Sequence, residues 1–147
     1  MAGIWKQMAH HDDHYRLTFD TNQDTWSMKY NLVWDAILGF NVFDADIAET
    51  EVAYYQTKFN EYGLALDQRS YTTKSDWLMW SATLSSDKAT FEKFITPMYN
   101  FYNTTTGRCP MPDLYQTNSN NHRTGWLQAR SVVGGYWIKM LKDKKTK

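Results

Sequence analysis

Apolar residues along this chain recur mainly at the three-to-four-residue spacing of helices, in five places and, more weakly, in a sixth. Strand-like alternation is hard to find, so the pattern predicts an all-α chain of about six helices. Trp26, Tyr30, Val33, Trp34, Ile37 and Leu38 form one stripe that stops at Gly39, a residue suited to ending a helix. Met28 and Leu32 lie on the other side with Asp35 between them, so this helix is expected to be enclosed and Asp35 to be an acid in an enclosed setting. A second, amphipathic helix is predicted from about Asp46 to Tyr62, opened by an Asp46-x-x-Glu49 capping pattern and stopped at Gly63. A third begins Thr73-Lys74-Ser75-Asp76, another capping pattern, and continues Trp77-Leu78-Met79-Trp80 toward Leu84. After Ser85-Ser86-Asp87 the period resumes with Phe91, Phe94, Ile95, Met98 and Tyr102, which predicts a helical hairpin whose second arm carries Pro97. Val133, Tyr136, Trp137, Met140 and Leu141 mark the last helix, and Gly134-Gly135 within it implies close backbone packing against a neighbour. Ile4, Trp5 and Met8 mark the first. The connections 64–72 and, much longer, 103–128 are expected to be loops, the second long enough to be functional. Enclosed helices alternating with amphipathic ones, with long loops at one end, is the arrangement of a helical toroid.

Composition changes the picture in two ways. The 147 residues include 7 Trp, 10 Tyr and 7 Phe, and these 24 aromatics outnumber the 20 Leu, Ile and Val side chains. With a net charge of zero and side chains that each bury roughly 150–250 Å², such a chain builds a core rather than staying disordered. Its length fits one domain. The opening Met1–Lys6 has no apolar stretch of the leader type and no run is long enough to span a membrane, so the expectation is a protein that is cytoplasmic as the chain stands or is missing its leader. Charge is uneven along the chain: residues 1–76 carry 12 acids and 6 bases, residues 77–147 carry 4 acids and 10 bases. Lys139, Lys142, Lys144, Lys145 and Lys147 cluster at the end, where they complement a helix C-terminus; no basic face interleaves with aromatics elsewhere, which argues against nucleic acid. Cys109 is the sole cysteine and excludes an internal disulfide.

Four segments carry a resemblance to a known family. Thr25-Trp26-Ser27-Met28-Lys29-Tyr30-Asn31-Leu32-Val33-Trp34-Asp35, Tyr62-Gly63-Leu64-Ala65-Leu66-Asp67, Tyr71-Thr72-Thr73-Lys74-Ser75-Asp76-Trp77 and Gln128-Ala129-Arg130-Ser131-Val132-Val133-Gly134-Gly135-Tyr136 resemble the C-terminal helical domain of the glutaminase A family. Asp13-His14-Tyr15-Arg16-Leu17 matches as well, so the resemblance runs from about Asp13 to Leu141. It implies a six-hairpin (α/α) toroid like that of many glycoside hydrolases, and secretion or periplasmic location for full-length relatives. About six helices are half of a toroid's twelve. The chain is therefore expected to be a single domain, 1–147, similar to the C-terminal half of such a ring.

The resemblance implies a glutaminase-like hydrolase acting on the glutamine amide. A carbohydrate-active hydrolase or sugar-binding module of the six-hairpin type, and a non-catalytic fragment of a larger enzyme, stand beside it. Amide or glycoside hydrolysis needs a general acid or base and groups that hold a polar substrate. Asp76, Asp67 and Asp35 are the catalytic candidates; Arg69, Lys74, Trp77, Asp113 and Arg130 are candidates for substrate binding. Each has a structural alternative: a helix-capping carboxylate for Asp76, an ion pair for Asp67 with Arg69, a hydrogen bond within helix packing for Asp35. Arg130 suits bidentate binding of a substrate carboxylate. His10 and His14 sit i, i+4 but lack a glutamate between them in a zinc-protease arrangement, and Cys109 and Ser131 lack a visible base or nucleophile elbow. Neither metal nor cofactor is expected. The partners expected are a small polar substrate, glutamine or carbohydrate, and either a second copy of the chain or the missing N-terminal portion of the same enzyme, with no role for nucleic acid or membrane.

Overall fold

In the computed structural model, which describes residues 1–22, 24–121 and 127–145, the aromatic stripes condense around a helical hairpin. Six α-helices are present among the described residues: α1 (Ala2–Ala9), α2 (Leu32–Leu38), α3 (Ala45–Tyr55), α4 (Ser75–Ala82), α5 (Lys88–Thr104) and α6 (Ile138–Lys145). A 3₁₀ helix, Ser131–Trp137, leads into α6. None of these helices is long and apolar enough to cross a membrane.

The expectation of about six helices holds, and two small antiparallel sheets accompany them. β1 (His10–His11) pairs with β2 (His14–Tyr15), and β3 (Thr72–Lys74) pairs with β4 (Leu114–Gln116), with Thr73 opposite Tyr115. Strands of two and three residues are too short for alternation to register in the sequence. β4 lies inside the predicted loop 103–128, whose middle therefore folds back to hydrogen-bond with the residues entering α4; residues 122–126 of that loop, and Lys147 of the basic tail, lie outside the described residues.

The helix expected from Trp26 begins only at Leu32. The residues before it are extended: Met28 N–H donates to Leu66 O at 2.7 Å, Ser27 bridges to Asp67, and Trp26 N–H donates to the Gln68 side chain at 2.9 Å. Trp26 and Met28 are buried while Ser27 and Lys29, each following one of them, are less so, a period of two hidden within a helical-looking stripe. α3 ends at Tyr55 rather than Tyr62, and no side chain caps its start, because the carboxylates of Asp44 and Asp46 both accept from Lys6, at 2.9 and 2.8 Å. α4 likewise starts at Ser75, with Thr73 taken into β3, so the predicted capping box does not form. α5 matches its pattern: Thr90 N–H donates to Asp87 Oδ1 at 2.8 Å, and Phe94, Met98 and Phe101 face the core, with Pro97 inside the helix.

The main core joins Tyr55, Leu64, Leu78, Phe94, Phe101 and Tyr115, all fully buried. Phe101 and Tyr115 stack at 4.0 Å, and the Tyr115 hydroxyl donates to Tyr62 O. Two smaller clusters flank α2. Leu32, with Trp5, Phe43, Ala9, Tyr15 and Ile47, faces α1 and α3; Val33, Ile37 and Ile138 meet Trp34 and Trp80 toward α6. Close packing at the glycine pair holds for Gly135, where a Cβ would stand 2.8 Å from Trp80 Nε1 and 3.0 Å from Asp76 Cβ, but not for Gly134, which faces open space.

Candidate functional site

A cleft of about 450 Å³ opens between α1, the 27–31 segment, the loop before α3, the 66–69 loop and α4. Its walls include Trp5, Lys29, Tyr30, Phe43, Asp67, Arg69 and Trp77. The extended backbone at 27–28, bonded to 66–67, is what brings Lys29 and Tyr30 alongside Asp67; a helix there would have carried them away. Tyr30 stacks on Trp77 at 4.0 Å and 11°, and the Lys74 ammonium lies 3.9 Å from the Trp77 ring, a cation–π contact.

Asp67 and Arg69 form the cleft's charged wall. Arg69 gives Oδ1 of Asp67 its backbone N–H and its Nε–H, both at 2.9 Å, and gives Oδ2 its Nη2–H at 2.6 Å. These bonds hold the Asp67 carboxyl below its usual range, so it stays ionised, while the Arg69 side chain is 71% exposed.

Deeper in, Lys29 Nζ–H donates to Tyr15 O at 2.7 Å and Ser27 O at 2.9 Å and lies 3.6 Å from Glu51 Oε2. Glu51 is fully buried, and its Oε1 accepts from Tyr15 N–H at 2.7 Å. Burial pushes the Glu51 carboxyl up and the Lys29 ammonium down, each partly opposed by the other's charge. Neither Lys29, Glu51 nor Tyr30 stands among the sequence candidates. The signal that was there is a lysine between Met28 and Tyr30 in an apolar stripe.

The other candidates lie around this cleft rather than in it. Asp76 is buried behind it at the start of α4, with Oδ1 lacking a hydrogen-bond partner, Lys74 4.0 Å away, and its carboxyl pushed up by burial. Asp35 is only partly buried, which corrects the enclosed setting expected for it. Its two oxygens accept from Val42 N–H and Phe43 N–H, both at 3.0 Å, fastening the loop that delivers Phe43 to the cleft. Arg130 closes on the fully buried Asp113 through Nε and Nη2, so its bidentate grip is spent inside the protein. Beside that pair runs a hydroxyl chain: Tyr136 donates to Ser75 Oγ at 2.6 Å and lies 2.9 Å from the Tyr102 hydroxyl, which donates to Pro112 O. His14 is buried, stacked on Tyr54 at 4.2 Å, with Nε2 3.2 Å from Thr25 O. Three sequence candidates, Asp67, Arg69 and Trp77, thus share the cleft with the aromatic and basic groups missed by pattern.

The α4–α5 helical hairpin, with an aromatic cleft beside it that carries the Asp67–Arg69 ion pair on its wall, defines a helical-hairpin domain. The family model described as "Glutaminase A six helical-hairpin domain" matches residues 1–140, and the chain belongs to that family. A protein named "Glutaminase A" from Aspergillus oryzae (strain ATCC 42149 / RIB 40) is 31% identical over 129 residues, covering 87% of this chain and 18% of that protein. A protein named "Probable glutaminase" from Arthroderma benhamiae (strain ATCC MYA-4681 / CBS 112371) is 26% identical over 159 aligned residues, covering 89% of this chain and 18% of that protein. The chain therefore spans under a fifth of the length of these relatives. No solved structure matches it.

Proposed function

We propose that this domain is an arc of a helical toroid that forms one wall of a glutamine-hydrolysing site, with its cleft gripping the two charges of a free amino acid. The observation that carries this reading is the Asp67–Arg69 pair, opposite charges side by side on the wall of a cleft whose volume, about 450 Å³, suits a small ligand. A free amino acid presents an ammonium and a carboxylate a few bonds apart. In this reading the ammonium meets Asp67, which Arg69 keeps ionised, and the carboxylate meets the outer edge of the exposed guanidinium, Nη1 with the second Nη2–H, because Nε and the inner Nη2–H are held by Asp67. The amide end then lies along Tyr30 and Trp77. Among Asp76, Asp67 and Asp35, only Asp67 lines the cleft. As an ionised carboxylate it is suited to hold an ammonium or accept a proton, not to donate one.

The carbohydrate reading draws less support. A stacking sugar needs an open aromatic face, and the indole of Trp77 already carries Tyr30 and the Lys74 ammonium.

Thermal-shift titration with glutamine and with N-acetylglutamine, alongside ammonia release from glutamine and aryl-glycoside hydrolysis, tests this. Glutamine should raise the melting temperature, acetylation should abolish the shift, and Arg69→Gln should weaken it. Binding without ammonia release would leave the chain a holding role only. Turnover of the glycoside, or no response to glutamine in either assay, would overturn the reading.

A further inference from the structure

The C-terminal end of α2, the loop that follows it and α6 together present an apolar strip that none of the described residues covers. Leu38, Phe40 and Val42 on one side, and Trp137, Met140 and Leu141 on the other, are all exposed, Phe40 at 63% and Trp137 at 67%. Single exposed apolar residues are ordinary, but a contiguous set marks a contact surface. The two sets flank one packed helix pair. α6 lies against α2 through Ile138, Val33 and Ile37, and a hollow lined by Leu38, Gly39, Lys142 and Lys145 joins the two helix ends.

Charge along this strip is ordered. Lys145 stands exposed at the α6 end, next to Lys144. Leu38, Phe40 and Val42 follow, held in a loop that Asp35 curls back along α2. Beyond them come Asp44 and Asp46, whose side chains are 72% and 59% exposed and share a single lysine, Lys6, and then the exposed Glu49. The order is basic, apolar, acidic.

We propose that this strip is where a second copy of the chain docks, across a two-fold axis near Phe40. Such an axis turns the strip end for end, laying the acidic Asp44 end of each copy on the Lys145 end of the other and Phe40 on its counterpart. The same arrangement answers the uneven charge of the sequence, whose first 76 residues carry six more acids than bases and whose remainder carries six more bases than acids. A contact of α6 with α6 alone would set lysine against lysine, so charge selects the end-for-end pairing. Two copies also bring together twelve α-helices from the six described in each, the number in six hairpins.

Sedimentation velocity of the full chain, from the low to the high micromolar range and at two salt concentrations, tests this. A monomer–dimer equilibrium that weakens with salt is expected. Phe40→Asp should give a monomer. Asp44→Lys and Lys145→Asp should each weaken the dimer about tenfold, and the double variant should restore it, since both ends reverse together. Circular dichroism and thermal melting confirm that each variant is folded. A monomer at every concentration, an open-ended series of larger species, or a dimer indifferent to Phe40→Asp and to the charge reversals would overturn the proposal.

Discussion

Arg130 meets Asp113 with two side-chain hydrogen bonds, Nε–H to Oδ1 at 2.9 Å and Nη2–H to Oδ2, and so ties the start of the 3₁₀ helix to the strand entering the core. Asp113 is fully buried, and its backbone oxygen also accepts from Ser75 N–H at 2.8 Å, at the first residue of α4. Arg130→Ala leaves a buried carboxylate unpaired. Because Arg130 itself is 36% exposed and water can partly replace it, the expected loss is about 2 kcal/mol rather than the larger cost of breaking a fully buried pair. Arg130→Lys keeps the charge but not the fork and should recover only part of that. Urea unfolding of the three proteins measures it; a loss near that of a surface ion pair would show that the tie contributes little.

Gly135 and Gly134 separate close approach from mere helix propensity. A Cβ on Gly135 would press within 2.8 Å of Trp80 Nε1 and 3.0 Å of Asp76 Cβ, whereas Gly134 meets nothing within 4 Å. Gly135→Ala should therefore cost about 1–3 kcal/mol through overpacking. Gly134→Ala should be close to neutral. Thermal melting of both variants decides it, and equal effects would refute the packing argument.

Asp35 acts on the cleft from outside. Its carboxylate satisfies two consecutive backbone N–H groups, Val42 and Phe43, and so fixes the loop that brings Phe43 against Trp5. Asp35→Ala should lower stability by about 1–2 kcal/mol. Hydrogen exchange at the amides of Val42 and Phe43 should quicken while α5 stays protected. Unchanged exchange at those two amides would show that the carboxylate does not hold the loop.

How much of this is visible in the sequence depends on whether the determining contact is local. α5 is legible because its cap, Asp87 with Thr90, and its apolar face all lie within one segment. The Trp26–Lys29 segment is not, because its backbone partners are Leu66 and Asp67, some forty residues on, and without them its apolar residues count equally well toward a helix. The site divides the same way. Asp67 and Arg69 are two residues apart, so their pairing can be anticipated; Glu51 looks like any acid on an amphipathic helix until Tyr15 and Lys29, from other segments, close over it. Asp35 and Arg130 stand out as chemistry but are consumed by Val42, Phe43 and Asp113, positions that no spacing identifies.

The Lys29–Glu51 pair beneath the cleft makes a prediction with a definite sign in pH. Glu51 is fully buried; burial pushes its carboxyl up, and Lys29's charge draws it partly back. An acid whose folded-state pKa is raised contributes most to stability when protonated, and that contribution is lost as pH rises from the ordinary glutamate range through the folded value. Lys29→Met removes the opposing charge and moves Glu51 further up. At neutral pH the variant must either bury an unpaired carboxylate or protonate it. Each pH unit above an ordinary value near 4.5 costs about 1.4 kcal/mol, so protonation sets a ceiling of roughly 3 kcal/mol on this part of the loss. At pH 5 the ceiling is below about 1 kcal/mol. The hydrogen bonds that Lys29 makes to Tyr15 O and Ser27 O add a loss that does not change with pH. Chemical denaturation from pH 5 to pH 7.5 should show the gap between variant and parent widening as pH rises, and Lys29→Met combined with Glu51→Gln should flatten it. A gap that is constant across that range would mean that Lys29 does not govern the charge of Glu51.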